Sequence, residues 1–223
     1  MNSPTESFTS SKLLMAYKKS DPPKRVRNPI SAKILRKLVV FIPGISSGTT
    51  EAKMLRALVT LMYAALLRIS EVTYNAKSKH NLTLNQVQII RTKEHHYVQI
   101  NMETCKFSRG RLAPMRVNPN FKHPEICPVR AFISYARVRS KSQYAFCTDT
   151  ATQLTPKYVR QKLVTLLQIA GQDATAFNTH SFRIGRATDM YRQGYSDLQI
   201  SKAGRWNTKA FLKYIKPQII SLY

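Results

Sequence analysis

A chain of 223 residues with 36 Lys and Arg against 11 Asp and Glu carries a formal charge of +25, and 43% of its residues are hydrophobic. That apolar fraction supports the core of one large domain. No run of about 18 apolar residues is present to span a membrane, and the polar N-terminus lacks a signal peptide's hydrophobic segment. Self-repulsion of this size is relieved by a polyanion, so nucleic acid is the leading partner; a lipid surface is disfavoured because no basic amphipathic helix with an aromatic face is found.

In chain order, residues 1–27 are polar, and KKSDPPKRVR reads as a basic linker with a proline break. From Ile30 the segment ISAKILRKLVVFI has helical periodicity, interrupted by GISSGTT. Thr50 is the expected cap of EAKMLRALVTLMYAALL, whose apolar residues cover more than one stripe and predict a central helix ending in RISE. The middle differs. VQII, HYVQINM and LAPMRV are short β-rich segments divided by polar turns, predicting a three-stranded antiparallel sheet over roughly 82–118. Helices then return: Pro128 opens VRAFISYARVR, and Thr155 and Pro156 are cap and first residue of a helix that Gly171 ends. Asn178 or Thr179 starts the next helix, with Ile184, Ala187, Met190 and Tyr191 as its packed stripe and Gly194 as its end. Ser196 caps SDLQISKA, and Asn207 or Thr208 caps TKAFLKYI. The fold class is α+β, mainly α-helical with a small three-stranded antiparallel sheet, over residues 28–223.

Cys105, Cys127 and Cys147 are an odd set without a CxxC pair, which fits a reducing, intracellular compartment. A zinc site built from His95, His96, His123 and Cys127 is a weak reading, because paired short spacings are missing.

Chemistry concentrates in HSFRIGRATDMYRQGYSDLQISKAGRWNTKAFLKYI. His180 and Arg183, one turn apart near a helix N-terminus, suit an anion such as phosphate. Taken alone the pair also fits a half-buried histidine and a solvated arginine. In order, however, HSFR, the GRW turn at 204–206 and Tyr214 resemble the tyrosine recombinase (phage integrase) family, as does LLRISEV with Arg68 and Glu71. The resemblance covers about residues 28–216. It implies a DNA breaking–rejoining fold, with Lys106 of ETCKFSRG as the lysine of a β-hairpin and Lys93 as its competitor. It further implies Arg68 and Arg183 as guanidinium clamps on a phosphate and His180 as proton acceptor or relay. Lys106 would be acid to the leaving 5′ oxygen, Trp206 an indole donor, Glu71 an orienting carboxylate and Tyr214 the nucleophile, with a 3′-phosphotyrosine intermediate and neither metal nor other cofactor. The implied partner is double-stranded DNA, with assembly into a homo-tetramer on it, in the nucleus if the host is eukaryotic.

Each residue also has a plainer reading. Arg68 fits a cation at a helix C-terminus, Glu71 a surface carboxylate, Lys106 a solvated charge and Trp206 core filler. Two features depart from the family's pattern. Residues 1–27 are too few for a core-binding domain, so the chain is expected to be a fragment, to have a reduced clamp or to take its clamp from a partner. Pro217 breaks the tail that would dock on a neighbouring protomer. The alternatives are a type IB topoisomerase, a DNA-binding protein that keeps the fold without turnover, and a general RNA binder.

Overall fold

The computed structural model describes residues 27–74, 82–102, 114–206 and 209–216, together with Lys12. The expectations placed on residues 1–26, on Lys106, on the capping role of Asn207 or Thr208 and on Pro217 lie outside these residues. In chain order the elements are α1 (Ala32–Ile45), α2 (Thr49–Ala64), the one-turn α3 (Ile69–Val72), β1 (Val87–Arg91), β2 (His96–Ile100), β3 (Met115–Val117), α4 (Pro128–Ala136), α5 (Pro156–Ile169), α6 (Ser181–Arg192) and α7 (Asp197–Gly204). A 3-10 segment, Lys209–Tyr214, follows where TKAFLKYI is expected to form an α-helix.

Helix α2 lies at the centre. Met54, Leu55, Leu58, Leu61 and Met62 are each at most 1% exposed, and the helix packs against α1, α4 and α6. Its start differs from expectation. Gly48 rather than Thr50 is the N-cap and offers no side chain; the Glu51 carboxylate instead turns back to accept from the Ser47 amide (2.5 Å) and hydroxyl (2.9 Å). Helix α1 likewise runs on through Pro43 and Gly44 to Ile45. A proline near a helix end sacrifices only one hydrogen bond, and the Ser46 hydroxyl gives one back to the Ile42 carbonyl (2.7 Å).

The sheet forms as expected, in the order β1-β2-β3 and antiparallel throughout, with Val87 opposite Ile100 and Val98 opposite Val117. Val87, Val98, Ile100 and Val117 face the core. Pro128 opens α4, Thr155 caps α5 by accepting from the Tyr158 amide (3.2 Å), and Gly171 takes a left-handed φ of 71° just past that helix. Ser196 caps α7 in a reciprocal pair with Gln199. In α6 the cap is His180, a residue later than expected. Its stripe is buried at Ile184, Ala187 and Met190, but Tyr191 is 47% exposed: it lies in the final turn, where the helix leaves the core.

Two apolar clusters result. The main one gathers α1, α2, the sheet, α4 and α5. A smaller one joins Leu66, Ala187, Met190, Ile200 and Phe211, with Trp206 and Tyr214 packed on it. The chain crosses between them at Leu66–Leu67: Leu66, held at φ 49°, belongs to the small cluster and Leu67 to the main one. Asp189 of α6 secures the helices to one another by accepting from the Ala32 amide (2.7 Å) and the Tyr63 hydroxyl (2.5 Å).

Two measurements follow from this packing. A Cβ at Gly185 would sit 1.8 Å from the Ile30 carbonyl oxygen, a backbone atom with no freedom to yield. Gly185→Ala should therefore destabilise the domain by about 3 kcal/mol in urea unfolding. Burial pushes the Glu51 carboxyl up, but Lys162 (2.8 Å), Tyr158 and Ser47 outweigh it and hold its pKa at about 2. A depressed carboxyl stabilises the fold above its unfolded value of 4.5 and loses that contribution as pH falls through about 2. The unfolding midpoints of wild type and Glu51→Gln should thus differ at neutral pH and converge towards pH 2.

Candidate functional site

Helix α2 ends at Ala64, and four residues later Arg68 caps α3. The Arg68 amide donates to Glu71 Oε2 (2.7 Å) and its Nη1 to Oε1 (2.9 Å), so one carboxylate fixes both the backbone and the side chain of that arginine. Glu71 is 5% exposed, which removes the reading of a surface carboxylate. A buried carboxylate needs compensation, and a second cation supplies it: Arg205 Nη2 lies 3.0 Å from Oε2.

His180 stands at the start of α6, its amide donating to Asn178 Oδ1 (2.8 Å), and Arg183 follows one turn on with no exposed surface. Arg183 is thus not a solvated arginine. Its Nη2 donates to the Gly204 carbonyl (2.9 Å) and its Nη1 to the Leu66 carbonyl, at the C-terminal ends of α7 and α2. The partial negative charge of those two helix ends is what holds a guanidinium inside the protein. Among the described residues no hydrogen-bond partner meets Arg183 Nε. Each of its two terminal nitrogens thus already donates to a carbonyl, whereas Nε has no partner among the described residues.

The GRW turn brings the remaining residues to the same place. Arg205 caps α7 at a left-handed φ of 56°, and Trp206 folds back over Gly204, where a Cβ would lie 1.7 Å from the indole ring. The Arg183 guanidinium lies over the Trp206 ring (4.6 Å to the centroid) and 5.6 Å from the Tyr214 centroid. Tyr214 sits between Trp206 and His180, with ring centroids 4.7 and 4.9 Å away. The Thr188 hydroxyl fixes its backbone by donating to the Tyr214 carbonyl (3.1 Å) and accepting from the Lys216 amide (3.1 Å). Trp206 packs on the small cluster and is core in that sense, yet its buried Nε1 has no partner among the described residues.

Electrostatics follow from the crowding. Burial, then Arg183 and Arg68, push the His180 imidazole down from 6.5 to about 4, so it is neutral at pH 7 and able to accept a proton. Burial, then Arg68 and Arg205, lower Arg183 to about 10, where it is still charged.

Arg68, Glu71, His180, Arg183, Trp206 and Tyr214 are thus brought together. Lys106 lies outside the described residues, and its competitor Lys93 is on the β1–β2 turn. Arg205 is the residue that sequence reasoning missed. Its signal is the GRW turn itself, which carries a second cation beside the tryptophan. Of the residues weighed for zinc, His95 lies edge-on to Phe121 (6.1 Å), while Cys127 Sγ accepts from the Asn120 amide (3.4 Å).

Comparison with known proteins identifies the family and the fold. The family model of the phage integrase family matches residues 35–214, and the chain belongs to that family, the tyrosine recombinases. Among solved structures it is similar to XerH site-specific recombinase in a post-cleavage complex on palindromic difH substrate (TM-score 0.63, 14% identity, 87% of this chain and 51% of that one). It is also similar to XerA recombinase (TM-score 0.62, 15% identity, 96% and 71%) and to a lambda integrase dimer bound to a COC′ core site (TM-score 0.65, 12% identity, 90% and 51%). The chain therefore spans about half the length of the XerH and lambda integrase chains. No curated protein sequence matches it. Among the described residues no helix is long and apolar enough to cross a membrane.

The His180 ring should titrate near pH 4 in DNA-free protein when followed by its imidazole proton resonances. Because two arginines contribute to the depression, Arg68→Gln should raise that value. A midpoint near 6.5 would contradict the buried, cation-flanked setting.

Proposed function

We propose that this chain is a DNA strand transferase that cleaves and rejoins double-stranded DNA through a 3′-phosphotyrosine, in site-specific recombination or integration. Residues 28–223 form the catalytic domain and residues 1–27 a basic segment preceding it. The observation that carries the reading is the convergence on Tyr214: a neutral imidazole on one side, an indole on the other, and the Arg183 guanidinium beside it. Two buried donors that lack a partner among the described residues, Arg183 Nε and Trp206 Nε1, support it further, since an anionic oxygen would satisfy both.

In this reading the Tyr214 hydroxyl oxygen attacks the scissile phosphorus. A phosphorus–oxygen bond forms and the bond to the 5′ oxygen breaks, leaving the 3′ end on the tyrosine. His180, neutral at pH 7, accepts the tyrosine's proton, and Lys106 donates one to the departing 5′ oxygen. Charge developing on the non-bridging oxygens is met by Arg68, Arg183 Nε and Trp206 Nε1; Glu71 holds Arg68 in place. Bond energy kept in the phosphotyrosine lets a different 5′ hydroxyl reverse the step without ATP. The chemistry is supplied by protein side chains and needs no cofactor. The XerH and lambda integrase structures are DNA complexes, and this chain's +25 charge suits the same partner; a homo-tetramer on that DNA belongs to the same proposal. A protein that binds DNA without turnover is the second reading, which the +25 charge alone also fits.

Nicked suicide substrates, incubated with the protein in chelator, should give an SDS-resistant protein–DNA adduct. Tyr214→Phe should abolish it while leaving DNA binding within about twofold, and His180→Ala should slow it by roughly 10²–10⁴-fold. DNA binding without any adduct would establish the second reading.

A further inference from the structure

Arg205 binds a different set of partners from Arg183. The Arg183 guanidinium lies over the rings of Trp206 and Tyr214. Arg205 Nη2 meets Glu71 Oε2 (3.0 Å) and the Leu66 carbonyl (3.3 Å), and its Nη1 meets the Ala65 carbonyl (3.3 Å) and Met115 Sδ of β3. One side chain, 7% exposed, thus joins the end of α2, the turn of α3, the third strand and the end of α7. Its backbone is left-handed, a conformation that a helix end ordinarily assigns to glycine or asparagine. A β-carbon is carried there because the side chain is needed there.

We infer that Arg205 is a positioning residue, a latch that ties the Trp206 turn, and with it the Tyr214 segment, to the turn of Arg68 through Glu71. Only the catalytic consequence rests on the recombinase reading; the latch is a property of the fold. Two features make it specific. Glu71 carries one negative charge and is shared by Arg68 on one oxygen and Arg205 on the other, so loss of either cation changes the carboxylate's grip on its neighbour. A planar fork reaches a carboxylate and two carbonyls together, which the single point charge of lysine does not. The adjacent residue, Trp206, is held by its amide donating to the Ser201 carbonyl (2.9 Å) and lies 4.7 Å from the Tyr214 ring, so displacement of the turn moves the tyrosine.

Trp206 is the chain's single tryptophan, so fluorescence excited selectively at tryptophan, beyond the absorption of the 11 tyrosines, reads this turn. Arg205→Gln, Arg205→Lys, Glu71→Gln and the Arg205→Gln/Glu71→Gln double variant should each stay folded by circular dichroism. Each single variant should shift Trp206 emission to longer wavelength and raise its quenching by acrylamide. The double variant should quench no more than the larger single effect, and lysine should not restore the wild-type value. Arg36→Gln, which removes a surface pair with Glu125, is the control that should change nothing. On suicide DNA, Arg205→Gln should slow adduct formation by roughly 10²-fold, as expected of a misplaced nucleophile. A neutral methylphosphonate at the scissile position should not rescue it. Unchanged quenching, additive effects in the double variant, or methylphosphonate rescue would each overturn the latch, the last by making Arg205 a phosphate ligand. If Arg205→Gln fails to fold, Arg205→Lys, which keeps the charge beside Glu71, decides the matter by quenching alone. A wild-type protein that shows the quenching pattern but forms no adduct would support the latch and refute the strand-transfer reading.

Discussion

Three guanidinium groups stand close together, two of them paired with one carboxylate, and the rest of this domain is arranged so that they can. Arg68, Arg183 and Arg205 repel one another, and Glu71 cancels only a single charge. The balance is met by peptide carbonyls. Helix α2 and helix α7 both finish here, and the carbonyls of Ala65, Leu66 and Gly204 are aimed at the arginines rather than at water. Two left-handed residues, Leu66 and Arg205, end those helices abruptly enough for the carbonyls to point inward. Cationic groups fixed this way need no reorganisation when an anion arrives, which is the property that an electrostatic catalyst requires.

Much of the fold was legible because its signals are local. Pro128, Thr155 with Pro156, Gly171 and Ser196 act within their own turns, and the sheet followed from short β-rich segments divided by polar turns. The site residues could be ordered along the chain because their motifs survive as short words. What was not legible depended on contacts across the chain. Glu51 replaced Thr50 at the start of α2 because its carboxylate also meets Lys162 and Tyr158 of α5, more than a hundred residues away. The burial of Arg183 rests on the ends of two other helices. Arg205 was hidden for the same reason: a composition rich in arginine makes each one look solvated, and only the position of Glu71 distinguishes this one.

The family likeness and the geometry make separate contributions. Identities of 12–15% to the solved recombinases speak for the fold, while the family match extends through Tyr214. The depression of His180 and the donors left without partners come from packing in this chain. Together they account for a site that is cationic, neutral at its histidine and short of acceptors, which is the state suited to receiving a phosphodiester.

The division of the interior into two clusters has a kinetic meaning. The main cluster is broad and includes the sheet, whereas Tyr214 and Trp206 are packed on the small cluster around Leu66, Met190, Ile200 and Phe211. Regions with few buried apolar neighbours open at a lower free energy than the whole domain. By that rule the segment carrying Tyr214 opens more readily than α2 and the sheet, and its amides exchange earlier than theirs.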